Sequence, residues 1–380
     1  MKIELITIGN EVLSGHTINT NANVIAKELL KEGFKLSRET TITDDASEIS
    51  QTLLEALDRS DFVITTGGLG PTLDDISGTV AEKTLGSAPE LLPNHLGSAP
   101  GLLFFRGKSL LTMLPGVPYE MKAILLDSVI PLIKKNSKDE KKPFRQVLSF
   151  TSLYENSVDP LLRELKEKNS ELEFGIYPSL GLLQVHLYAY ADNYENAKKI
   201  IRPAEEASKN RFGDNFYESE EGNIGEAIKF LFTKKGWTLS TAESCTGGSI
   251  AASLTQIPGA SGYFLGSVVS YSNEAKENIL GVSKDTIEKY GAVSQETVRE
   301  MVLGASQAFK SEFSIAVTGI AGPSGGTPEK PVGTVWFAMH RQGREPIIWN
   351  TQRKANREMI ITGSKNILLG KLYHYAKNEI

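Results

Sequence analysis

The chain has a single cysteine, Cys245, so no disulfide can close within it and a thiolate-based structural zinc site lacks its ligands. Its five histidines, His16, His95, His186, His340 and His374, are scattered and show no metal-ligand pairing. No apolar run approaches the roughly 20 residues that cross a bilayer, and no basic segment followed by a long apolar stretch stands at the N-terminus. A basic excess is missing too: the net charge of −5 gives no reason to expect a polyanionic partner and argues against direct nucleic-acid contact. There is no internal repeat and no low-complexity tract, and the glycine-rich run at 318–327 lacks the Gly-Lys-Ser/Thr ending of a Walker-type loop. These absences lead us to expect a soluble, reduced, cytoplasmic protein. What is present is ordinary for globular cores: 40% hydrophobic residues over 380 positions, enough for two or three domains at about 150 residues each.

The front of the chain alternates strand and helix patterns. Residues 3–8 read as a strand, 21–31 as a helix stopped by Gly33, 36–42 as extended, 49–57 as an amphipathic helix and 62–65 as a buried strand. Such alternation implies a largely parallel sheet with helical crossovers. The last of these strands feeds a glycine-rich run, Thr66-Gly67-Gly68-Leu69-Gly70-Pro71-Thr72-Leu73-Asp74-Asp75. Asp74 and Asp75 suit either a divalent cation beside a phosphate or the cap of a helix starting near Ile76. The lysine-rich segment 134–142 reads as a connector. Beyond it, residues 146–209 suggest a small β-α-β-β-α unit without a glycine-rich GxxG loop, and a final α/β region begins near Asn223.

Chemistry concentrates in that final region. Thr241-Ala242-Glu243-Ser244-Cys245-Thr246-Gly247-Gly248 puts a hydroxyl and the thiol between a strand-like approach and a helix-like continuation. A tight corner of this kind presents a nucleophile beside free backbone N–H groups, although Ser, Thr and Gly there can also serve capping alone. Two further strand ends carry polar runs: Ser270-Tyr271-Ser272-Asn273-Glu274-Ala275-Lys276, and Thr318-Gly319-Ile320-Ala321-Gly322-Pro323-Ser324-Gly325-Gly326-Thr327. The second could form an anion-binding nest or be a plain surface loop. Three such loops at strand ends are the pattern of an α/β active-site crevice.

Together with Gly291-Ala292-Val293-Ser294 and Lys330-Pro331-Val332-Gly333-Thr334-Val335, these blocks resemble the CinA family of competence/damage-inducible proteins, in particular its C-terminal nicotinamide mononucleotide (NMN) deamidase domain. The glycine-rich run at 66–75 and Leu114-Pro115-Gly116-Val117-Pro118-Tyr119-Glu120-Met121 are similar to the family's molybdopterin-binding-like N-terminal domain. The resemblance implies two three-layer α/β domains joined by a small α+β, KH-like domain, at 1–143, 144–218 and 219–380, with the middle one a structural spacer. It also implies a homodimer acting on small nucleotides.

For the C-terminal domain the resemblance implies hydrolysis of NMN to nicotinic acid mononucleotide and ammonia, in pyridine nucleotide salvage and without a cofactor. Ser244 would be the nucleophile, Lys276 its base and Tyr271 a proton relay, with Cys245 the rival nucleophile. Backbone N–H groups of Thr246, Gly247 and Gly248 would form the oxyanion hole. Thr318, Gly319, Ala321 and Gly322 would cradle the phosphate and Arg353 would pair with it. Near Arg353 the family often reads Gly-Asp-Arg, where this chain has Thr351-Gln352-Arg353.

For the N-terminal domain the resemblance implies a metal-dependent ADP-ribose pyrophosphatase. Gly67, Gly68, Gly70 and Thr72 would approach the pyrophosphate, while Asp74 and Asp75 would hold magnesium or a similar ion. This chain has only residues 85–93 where family members carry a longer, partly helical stretch. A third reading makes the protein a nucleotide-sensing module without catalysis.

Overall fold

The computed structural model describes residues 1–72, 75–137 and 141–379. By its internal contacts the chain divides into one unit of Met1–Arg145 with Ala189–Lys198, and another of Gln146–Tyr188 with the chain from Lys199 onward. The expected α/β class is observed in both large sheets, with a smaller sheet between them in sequence.

The first sheet runs β2-β1-β3-β6-β5-β4, from β1 (Ile3–Ile8), β2 (Leu36–Ile42), β3 (Phe62–Thr66), β4 (Glu90–Leu92), β5 (Gly101–Arg106) and β6 (Ser109–Leu114). The pairs β1–β2, β1–β3 and β3–β6 are parallel, and β5 is antiparallel to both neighbours. Period-two alternation builds two apolar faces. Ile3, Leu5, Phe62 and Ile64 join one core cluster, whereas Ile6, Ile8 and Val63 join another with Ile49, Leu53 and Leu57 of the helix Ala46–Arg59. Because β2 and β3 lie on opposite sides of β1, the strand order reverses there and leaves a crevice at the carboxyl ends.

The middle sheet is ordered β10-β7-β9-β8, from β7 (Lys142–Thr151), β8 (Leu172–Ser179), β9 (Leu182–Ala191) and β10 (Phe216–Tyr217). Helices Glu155–Lys168 and Tyr194–Phe212 supply the crossovers, which is the expected β-α-β-β-α order.

The third sheet runs β12-β11-β13-β14-β15, with β11 (Leu239–Glu243), β12 (Phe264–Val269), β13 (Phe313–Gly319), β14 (Thr334–Arg341) and β15 (Ile347–Gln352). β11 is parallel to both β12 and β13, while β14 and β15 continue antiparallel. Phe313, Ile315 and Val317 face a cluster with Ile228 and Phe232 of helix Ile224–Lys235 and Leu368 and Leu372 of helix Arg357–Asn378. The alternate residues Ala242, Ala316 and Ala338 face Val298, Met301 and Val302 of helix Gln295–Phe309. Large side chains on one face and alanines on the other let that helix pack close to the sheet. The final helix starts at Arg357, where Asn356 caps it by accepting the Met359 N–H at 2.8 Å.

Candidate active site at the ends of three strands

β11 lies between β12 and β13, so its carboxyl end is again a point where strand order reverses. Glu243 closes the strand, fully buried, and the chain then turns sharply into helix Ser249–Thr255. The Glu243 carboxylate accepts from Thr246 Oγ1 (2.7 Å), Gly248 N (3.1 Å), Ile250 N (3.1 Å) and Ala251 N (2.8 Å). A buried anion is thus matched by the unpaired N–H groups and positive dipole end of the helix. Gly248 completes the turn at φ 94°, where a side chain would be strained.

The turn leaves Ser244 8% exposed. Lys276, on the first turn of helix Asn273–Leu280, reaches it directly: Nζ lies 3.1 Å from Ser244 Oγ and donates to the Ser270 carbonyl at 2.8 Å. Ser272 caps that helix by accepting Ala275 N–H, and so fixes where Lys276 points. Lys276 is only 2% exposed, and no carboxylate pairs with it among the described residues. Burial therefore pushes its amine below the ordinary lysine value. A buried amine against a serine hydroxyl is the arrangement of a nucleophile and its base.

Cys245 faces the other way. It is 5% exposed within the apolar cluster under the sheet, and burial pushes its thiol up to about 12, away from the thiolate form.

Other expected residues are redistributed. Tyr271 is 60% exposed, and its hydroxyl accepts from Arg357 at 2.9 Å instead of standing between Ser244 and Lys276. Since Lys276 touches Ser244, no relay is required. Arg357 also donates to the Gly322 carbonyl at 2.9 Å, so this guanidinium ties the third loop to the second. Arg353 is not brought to the cluster: its guanidinium lies beside Gly363 and lines a separate cavity. The capped helix start decides between these arginines, placing Arg357 on the first turn and Arg353 in the preceding loop.

The expected oxyanion donors also narrow. Gly247 N–H donates to the Ser244 carbonyl and Gly248 N–H to Glu243, so neither is free. The N–H groups of Cys245 and Thr246, which follow Ser244 in the turn, have no backbone acceptor among the described residues. Thr318 and Gly319 are paired in the β13–β14 ladder, and the Thr318 hydroxyl donates to the Ala292 carbonyl at 2.8 Å. Of the expected phosphate cradle, Ala321 and Gly322 lie beyond that ladder. The Gly291-Ala292-Val293-Ser294 block is structural: Ser294 caps helix Gln295–Phe309. Glu243 and Arg357 were missed from sequence. An acid closing a strand just before a Gly-Gly turn into a helix was the readable signal for the first.

In the first unit, Gly67, Gly68 and Gly70 line a cavity of about 460 Å³ with Gly9, Gly116 and Glu120, at the carboxyl ends of β1, β3 and β6. Gly67 has φ 104°, and a Cβ there would lie 2.0 Å from the Ile8 carbonyl oxygen, so only glycine fits. Asp74 lies outside the described residues. Asp75 accepts from Thr72 N–H at 3.0 Å and from the Thr72 hydroxyl. Burial raises the Asp75 carboxyl, but the bonds from Thr72 and the Gly70 N–H outweigh it and hold the group below its usual range. The carboxylate is therefore committed to its own loop. No cluster of three His, Cys, Asp or Glu side chains suited to a metal occurs among the described residues, and Asp74, the other expected ligand, lies outside them.

Comparison with known proteins agrees with this architecture. Residues 222–375 match the CinA C-terminal domain, 145–217 the damage-inducible protein CinA KH domain and 4–135 a probable molybdopterin binding domain. A competence-damage inducible protein of Clostridium beijerinckii is 38% identical over 91% of this chain and 93% of its own length. The chain belongs to the CinA family. A CinA-like protein of Kosmotoga olearia is 35% identical over 91% of this chain and 92% of its own. The crystal structure of competence/damage inducible protein CihA from Agrobacterium tumefaciens is similar at 40% identity, covering 40% of this chain and 94% of that chain, with a TM-score of 0.38. No helix among the described residues is long and apolar enough to cross a membrane.

Proposed function

We propose that the C-terminal domain of this CinA protein hydrolyses the carboxamide of NMN to nicotinic acid mononucleotide and ammonia. The 3.1 Å contact between Lys276 Nζ and Ser244 Oγ carries the reading of amide hydrolysis, and the family resemblance supplies the mononucleotide. A neutral Lys276 takes the Ser244 proton while Oγ bonds to the carboxamide carbon. The carbonyl π electrons move to oxygen, and the N–H groups of Cys245 and Thr246 stabilise that oxyanion. Lys276 then returns the proton to the amide nitrogen, the C–N bond breaks and ammonia leaves a Ser244 ester. Water, deprotonated by the same amine, attacks the ester and releases the carboxylate product with Ser244 restored.

Tyr271 and Arg357 border the mouth of this site, where an aromatic face and a guanidinium suit a pyridinium ring and a phosphate. The homodimer expected from the resemblance belongs to the same proposal. The front crevice suits a small phosphate-bearing ligand, and we derive no hydrolytic step there. The test of the main reading is ammonia release from NMN, with nicotinamide and glutamine as controls. Release from NMN alone supports it, and an equal rate with glutamine would remove the mononucleotide assignment.

A further inference from the structure

Arg353 lines a cavity of about 660 Å³ in the second unit, within the size range of small-ligand sites. Its walls come from the start of helix Glu155–Lys168, the turn between β8 and β9, and the loop after β15. The walls are fixed in place. Asn366 Nδ2 of the last helix donates to the carbonyls of Ser179 (3.0 Å) and Leu180 (3.3 Å), and Ser152 N–H donates to the Gly181 carbonyl at 2.9 Å. Two of the three non-glycine residues with positive φ among those described occur here: Leu180 at 38°, in the wall, and Ser152 at 57°, beside it. Left-handed backbone at such residues is strained and gathers where ligands are clamped.

The polar groups in the cavity are unequal. Arg163 Nε donates to Asp159 at 2.6 Å, so those two charges satisfy each other. Arg353 has no carboxylate partner and Glu155 no cationic one among the described residues. Tyr154 adds a ring 69% exposed. One free guanidinium matches one phosphate, a free carboxylate accepts from sugar hydroxyls, and an open aromatic face stacks on a planar base.

We propose that this cavity binds a nucleoside monophosphate, with the phosphate on Arg353 and the base on Tyr154. The site is separate from the Ser244 cluster and its occupancy does not depend on amide hydrolysis.

Hydrogen exchange on the full chain with AMP as probe tests it, read on peptides covering 152–163 and 178–182, with adenosine and inorganic phosphate as parallel arms. AMP slows exchange in both segments, and adenosine and phosphate do so at least about tenfold more weakly. Arg353→Ala raises the AMP concentration for half-protection about tenfold or more, the loss expected for a charge-assisted phosphate contact. Tyr154→Ala, at an exposed position, raises it about fivefold. Unchanged exchange at saturating AMP, protection by phosphate equal to that by AMP, or a Tyr154→Ala protein that behaves as wild type would each overturn the assignment.

Discussion

At the scale of single residues, reactivity here follows from burial more than from intrinsic chemistry. Cys245 carries the better nucleophilic atom, yet its surroundings are apolar and its thiol stays protonated. Ser244 is the poorer nucleophile but has a buried amine against it. Replacing Cys245 by Ala should leave ammonia release within about threefold of wild type, because the thiol makes packing contacts only. Lys276 gives a second prediction with a definite sign. Only its neutral form accepts the serine proton, so the rate rises as pH climbs through its pKa. Since burial lowers that pKa, the rise should fall below the ordinary lysine value of 10.5. A rate profile that climbs only above that value would show the amine to be unperturbed. Lys276→Met should abolish the pH-dependent limb together with the activity.

At the scale of elements, the site is held by strand ends and helix caps. Glu243 collects four donors from the turn and the helix it enters, so it organises the corner that presents Ser244. Glu243→Gln keeps the shape but replaces one acceptor oxygen by a donor. It should cost about 1–3 kcal/mol of stability in urea unfolding. It should also lower kcat with little change in KM, because positioning of the nucleophile suffers and substrate contacts do not. A variant with wild-type kcat would show that the turn holds without its acid. The two arginines separate in the same way. Arg357→Ala releases both Gly322 and Tyr271 and should raise the KM for NMN about tenfold or more, whereas Arg353→Ala should leave that KM unchanged. Equal effects from the two would contradict the placement.

At the scale of the whole molecule, much was readable in advance for a physical reason. Periods of 2.0 and 3.6 residues are imposed by two-faced sheets, so β1, β2, β3 and the helices beside them stood out in the sequence. Ser244 and Lys276 came from the resemblance of the polar runs after β11 and β12 to the CinA family, and the structure brings the two side chains together. What was not legible depends on three-dimensional pairing. Nothing local says that Asn356, by capping the last helix, carries Arg357 to the site and leaves Arg353 behind. Nor does the sequence say that Thr318 spends its hydroxyl on Ala292, or that Asp75 is taken by Thr72. The last point bears on the front domain, where the Asp75 carboxylate is already bonded within its own loop. Incubating the protein with ADP-ribose and magnesium should therefore yield no AMP. Its appearance would show that a working ion site forms there.

The most direct test of the central claim is the turnover of NMN by Ser244→Ala beside wild type, followed by ammonia release. If the serine oxygen is the attacking atom, the variant falls by about a thousandfold or more while its fold and melting temperature are kept. A Ser244→Ala protein that releases ammonia at the wild-type rate would contradict the mechanism outright.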